Sequence, residues 1–164
     1  MTASDGFEVP LPDLEAVAAL GRALARVLRS GDVLALEGDL GSGKTALARA
    51  VVQAWLGPEE EVPSPTFTLV QTYDIPSGLV AWHFDLYRLN HPEEAVELGL
   101  EEALAEGIVM MEWPERLGPL LPAHRLVVSL TLAGTGEARL AQVRGIGGGR
   151  LRLAELQQAM AEER

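Results

Sequence analysis

The sequence predicts an α/β fold, a mixed central β-sheet flanked by helices in a single domain. Three observations predict it. Short apolar runs alternate with stretches of helical periodicity, two strand pairs are joined by glycine-containing turns, and a glycine-rich loop lies between a strand and a helix. The 164 residues are of one-domain size, so a domain spanning residues 1–164 is expected, large enough to bury a core without disulfides or a structural metal.

Taken in order, residues 7–10 read as a short strand, and Asp13 as the N-cap of a helix running to about Arg29. Leu14, Val17, Leu20, Leu24 and Leu28 form its apolar stripe. After the break at Gly31 and Asp32, residues 33–36 read as a buried strand. Residues 44–56 return to helical spacing, with Leu47, Val51, Ala54 and Trp55 on or near one face and Gly57-Pro58 as the stop. Residues 68–73 and 79–86 are β-rich runs joined by residues 74–78, a hairpin. A short helix over residues 98–106 is closed by Gly107, and residues 108–111 form an apolar strand ending on the acid Glu112. A second strand pair, 125–133 and 138–144, precedes the glycine run 145–149, which reads as a linker. The last helix, with Leu151, Leu153, Leu156 and Met160, is expected to dock on the same core. No internal repeat is present.

Composition excludes several classes of function. There are no cysteines, hence no disulfides, thiolate zinc sites or cysteine nucleophiles. The first residues lack a basic start followed by an apolar stretch, and no uncharged run, 126–136 included, is long enough to span a bilayer. No membrane association and a cytoplasmic location are therefore expected. A formal charge of −11 argues against autonomous grip on DNA or RNA, which needs a basic face to neutralise phosphates. Lys44 is the sole lysine beside twelve arginines. Arginine replaces lysine on most solvated surfaces, but not where a compact ammonium on a thin stem must reach between phosphates.

Lys44 lies in Gly38-Asp39-Leu40-Gly41-Ser42-Gly43-Lys44-Thr45, a match to G-x-x-x-x-G-K-[ST]. Glycines let such a loop curl so that successive amide hydrogens face phosphate oxygens. The following helix adds its unpaired N-terminal amides and dipole, and the lysine reaches the β and γ phosphates. Thr45 supplies a hydroxyl to magnesium. A P-loop NTPase fold that binds ATP with Mg²⁺ is the expectation. Within the loop, Asp39 is given a structural role. The reaction also needs an acid for the metal or for an attacking water, at the carboxyl end of a neighbouring strand. Asp85 and Glu112 both end apolar runs, and the residues alone do not divide these roles between them. The bland alternative for Asp85 is a strand-end cap or a partner of Arg88. His83 lies two residues from Asp85 and so on the same strand face. A lone histidine is more often structural than catalytic, and it stays outside the catalytic set.

Four blocks resemble the TsaE family, also called YjeE, the ATPase component of bacterial tRNA threonylcarbamoyladenosine synthesis. They are the loop itself, Ser64-Pro65-Thr66-Phe67-Thr68-Leu69-Val70, His83-Phe84-Asp85-Leu86-Tyr87-Arg88-Leu89, and Glu112-Trp113-Pro114. The first block is shared by many nucleotide-binding proteins, whereas the second and third at these spacings select this family. The resemblance covers nearly the whole chain. It implies a switch-like role for Thr66 near the γ phosphate, a catalytic role for Asp85, a magnesium-holding role for Glu112, and a place for Trp113 beside the nucleotide or a partner. It further implies a partner, the TsaD–TsaB heterodimer, through which tRNA is reached only indirectly. One departure is visible: Val17 stands before Leu20-Gly21 where the family commonly has threonine. ATP rather than GTP rests mostly on this resemblance; the guanine-reading Asn-Lys-x-Asp segment is absent.

Two rival functions fit a short P-loop chain. A small-molecule kinase would need an acceptor pocket and usually an arginine-bearing lid, and Arg116 and Arg125 form no evident cluster for one. A nucleotide-gated binding module would use ATP as a ligand with negligible hydrolysis. The sequence shows no obvious arginine finger, so weak hydrolysis in isolation and faster turnover with partners are expected.

Overall fold

The computed structural model describes residues 6–64, 68–134 and 136–163. Seven strands and five α-helices follow one another as β1 (Gly6–Leu11), α1 (Leu14–Val27), β2 (Val33–Glu37), α2 (Lys44–Leu56), β3 (Val70–Asp74), β4 (Val80–Asp85), α3 (Glu93–Glu97), α4 (Leu100–Glu106), β5 (Ile108–Glu112), β6 (Arg125–Leu132), β7 (Arg139–Ile146) and α5 (Gly149–Glu162). A 3-10 segment, Pro114–Leu120, follows β5.

All the described strands join one mixed sheet of order β1-β7-β6-β2-β5-β4-β3. Its centre, β6, β2, β5 and β4, is parallel, and the hairpins add β7 and β3 antiparallel at either side. Parallel central strands are covered on both faces and read as continuous apolar runs, as β2 and β5 do. The pleat sends alternate residues to opposite layers. Leu34, Leu36, Met110 and Val128 pack with Leu20 and Leu24 of α1, Leu47 and Val51 of α2, and Leu153 and Leu156 of α5. Val33, Ala35, Val109, Met111 and Val127 pack with Ala95, Leu100, Ala103 and Leu117 on the other face.

Asp13 caps α1 as expected, its Oδ1 accepting from the Ala16 amide at 2.9 Å. The helix ends at Val27 because Leu28 turns extended. Leu14 departs from its expected place in the buried stripe: at the first turn it is 63% exposed, beyond the reach of the layer that covers Leu20 and Leu24. Ala54 of α2 likewise faces solvent. The expected helix over 98–106 starts two residues later, as α4, because Gly99, at φ 99°, breaks the path from α3, a separate short helix that precedes it. The glycine run is not a linker. Gly145 and Ile146 are the last residues of β7 paired with β6, and α5 begins at Gly149, packed so tightly that an added Cβ would clash with the Arg125 carbonyl oxygen. Arg152 of α5 then pairs with Asp32 at 2.6 Å, tying the helix to the turn before β2.

Candidate nucleotide site

Four parallel strands deliver their carboxyl ends to one edge, where crevices of α/β folds hold ligands. The loop between β2 and α2 crosses this edge. A cleft of about 430 Å³ opens over it, lined by loop residues from Leu40 to Thr45, by Asp85, Tyr87 and Arg88 past β4, and by Glu112 and Trp113 past β5.

The loop has the shape that its glycines permit. Gly38 sits at φ 147°, where an added Cβ would stand 2.4 Å from Ser42 Oγ and 2.7 Å from the Leu130 carbonyl oxygen. Gly43, left-handed at φ 106°, starts α2, and no side chain caps that helix. Its first amides therefore face the cleft with the positive end of the helix dipole behind them. Ser42 Oγ is buried with no hydrogen-bond partner among the described residues. Arg139, which the sequence reading did not single out, braces the loop from β7: its guanidinium donates to the carbonyls of Gly41 and Ser42, each at 3.1 Å.

Lys44 folds back over its own loop. Its ammonium donates to the Gly38 carbonyl at 2.5 Å and to that of Asp39 at 3.0 Å, and lies 4.0 Å from the centre of the Trp113 ring. Burial pushes this ammonium below the ordinary lysine range, while the carboxylates of Glu112, Glu115, Asp85 and Asp39 pull in the opposite direction. A polyphosphate is the kind of partner that would favour the charged form. Trp113 reaches its position through a left-handed backbone, φ 59° and ψ 51°, at the residue before Pro114. Such a conformation costs a bulky residue roughly 1–2 kcal/mol. The ring also meets Tyr87, centroids 4.8 Å apart, and the Arg116 guanidinium lies 5.5 Å from the Tyr87 ring.

Strand register brings the two acids together, with Asp85 opposite Glu112 on adjacent parallel strands. Both are buried. Thr45 Oγ1 lies 2.8 and 3.0 Å from the two Glu112 carboxylate oxygens and donates its single hydrogen to that carboxylate. Asp85 accepts from the Tyr87 amide at 3.2 Å. His83 Nε2 lies 2.7 Å from Glu112 Oε2, so the histidine joins this cluster from beneath. Asp39 is exposed on the outer side of the loop and contributes its carbonyl rather than its carboxylate to Lys44. Thr66 lies outside the described residues.

The donor set suits magnesium held jointly with phosphate. Among the described residues no group of three or more His, Asp or Glu side chains forms a self-sufficient metal site. A hydroxyl and one carboxylate side by side are what Mg²⁺ uses when water and phosphate oxygens complete its octahedron. Tyr87 and Arg88 line the cleft, Arg88 having been weighed only as a partner of Asp85, and Arg139 braces the loop; none of the three was taken as a site residue. The first two stood within the His-Phe-Asp-Leu-Tyr-Arg block and were legible there; Arg139 gave no signal at all.

The family model described as "Threonylcarbamoyl adenosine biosynthesis protein TsaE" matches residues 11–140. The chain is 43% identical over 111 residues to the tRNA threonylcarbamoyladenosine biosynthesis protein TsaE of Rickettsia bellii, covering 68% of this chain and 76% of that one. To the protein of the same description from Nostoc sp. it is 38% identical over 141 residues, covering 83% and 85%. Among solved structures it is similar to YdiB of Bacillus subtilis, with a TM-score of 0.75, 26% identity, and coverage of 99% of this chain and 98% of that one.

Proposed function

This chain belongs to the TsaE family of threonylcarbamoyl adenosine biosynthesis proteins and has a P-loop NTPase fold, and from that premise we propose that it binds Mg-ATP in the cleft and hydrolyses it to ADP and phosphate. The observation that carries the reading is the contact of Thr45 with Glu112 directly beside a lysine curled over a glycine loop. These are two halves of one site, a phosphate cradle and a cation pair, supplied by elements far apart in sequence.

In this reading the loop amides and the α2 N-terminus take the phosphates. Lys44 exchanges the Gly38 and Asp39 carbonyls for β and γ oxygens, an exchange of neutral acceptors for anionic ones. Thr45 and Glu112 would hold Mg²⁺, which would supply positive charge to offset that of the phosphates. Asp85, directly opposite Glu112 in the strand register, orients the attacking water and accepts its proton as the water oxygen bonds to the γ phosphorus and ADP departs. Thr66 senses the γ phosphate from the segment before β3. Trp113 shields the Lys44 end of the cleft from solvent.

Turnover is slow in the isolated chain and rises when the TsaD–TsaB pair binds, coupling hydrolysis to formation of N6-threonylcarbamoyladenosine in tRNA. The acidic charge supports an indirect role, with RNA contacts made by the partners. Among the described residues no helix is long and apolar enough to cross a membrane. Phosphate release from Mg-ATP, measured for the chain alone and with purified TsaD and TsaB, tests the proposal. A partner-dependent rise that vanishes in Lys44→Ala is expected; equal rates with and without the partners would overturn the coupling.

A further inference from the structure

The Glu112 carboxylate is gripped from two sides. Thr45 donates to it from the cleft side, and His83 Nε2 stands 2.7 Å from Oε2 on the core side. His83 is fully buried, 0% exposed, on the interior strand β4. Its other ring nitrogen, Nδ1, is buried and has no hydrogen-bond partner among the described residues.

These facts fix the proton. A buried N–H without an acceptor is the rarer and costlier defect, whereas a bare lone pair is better tolerated. Nε2, within hydrogen-bond distance of a carboxylate that already accepts from Thr45, therefore carries a hydrogen, and that N–H donates to Glu112. A ring that only filled space would gain nothing from its polar atoms and would pay their desolvation. The single hydrogen-bonding capacity it uses is spent on the one carboxylate that reaches Thr45.

We propose that His83 is a positioning residue for Glu112, fixing the rotation of its carboxylate so that the remaining lone pairs face the cation beside Thr45. The proposal rests on the reading of Thr45 and Glu112 as the magnesium pair. His83 is buried beneath the carboxylate and, among the described residues, its hydrogen bond to the site is the one to Glu112. Partners of this outer kind typically change metal affinity by about 10- to 100-fold when removed.

The test is calorimetric titration of ATP into the full chain, first in EDTA and then over a series of Mg²⁺ concentrations, for wild type, His83→Leu, His83→Gln and Glu112→Gln. His83→Leu is expected to keep the metal-free ATP affinity but to need about 10-fold or more Mg²⁺ for the metal-dependent gain. His83→Gln, whose amide nitrogen reaches the same position along the side chain, should restore most of the wild-type response. An unshifted Mg²⁺ midpoint in His83→Leu would overturn the proposal, as would equal loss of metal-free binding in both His83 variants, the mark of a packing residue. Failure of the parent reading is visible separately: Glu112→Gln would then leave the Mg²⁺ midpoint where wild type has it.

Discussion

In the proposed reading, Lys44 is the residue on which nucleotide capture turns. Without a ligand its ammonium is satisfied by two carbonyls of its own loop, so removing it leaves those carbonyls facing the cleft and open to water, with little effect on folding. Lys44→Ala should weaken Mg-ATP binding by about 100-fold, or ~2.7 kcal/mol, with the thermal midpoint nearly unchanged. Calorimetry paired with a melting curve checks both halves. The two acids should behave differently. Asp85→Asn keeps the shape and loses the proton acceptor, so turnover should fall by about 10²- to 10⁴-fold while ATP still binds. A single-turnover assay beside a binding titration separates the two quantities, and an Asp85→Asn enzyme turning over at the wild-type rate would remove that residue from the chemistry. Lys44, Thr45, Asp85 and Glu112 were all readable as candidates, because each sits at a strand end or in the loop. The His83 to Glu112 contact was not, because it depends on the parallel register of β4 with β5, which pairs His83 with Met110 and Asp85 with Glu112. Nothing in the order of residues states which strands will be neighbours.

At the scale of elements, α2 was legible to the residue, from Lys44 to Leu56, since a glycine loop precedes it and Gly57-Pro58 stops it. The elements after β4 were harder. α3 is five residues long, too short to show a period, and the 3-10 segment Pro114–Leu120 carries prolines that read as loop. The glycine run was misread because glycine signals flexibility and close packing alike. Here packing decides: Gly149 touches Arg125, so Gly149→Ala should destabilise the fold by at least ~2 kcal/mol. Leu151→Ala, in the same helix at a residue 71% exposed, should stay within about 0.5 kcal/mol of wild type. Urea unfolding of the pair distinguishes an anchored α5 from a tethered one, and equal midpoints would favour the tether.

The whole molecule is a sheet whose parallel centre points its carboxyl ends at one crevice, with helices sealing both faces. The mixed-sheet class followed from alternating apolar runs and helical periods, while the strand order did not, since the chain adds its first strand, β1, beyond β7 at the far edge. That arrangement holds β7 between β1 and β6 and lets its Arg139 brace the loop across 97 residues. Arg139→Ala should accordingly loosen the loop and weaken Mg-ATP binding by about 10-fold without altering the Mg²⁺ midpoint, in contrast to a change at His83. Titrations in EDTA and in Mg²⁺ distinguish the two.

The most direct measurement is isothermal titration of Mg-ATP into the purified chain, run beside Lys44→Ala. One molecule of nucleotide bound per chain, with the signal lost or reduced about 100-fold in the variant, is the expected result. A folded wild-type chain that takes up no Mg-ATP, or a Lys44→Ala chain that binds it equally well, would contradict the assignment of this cleft.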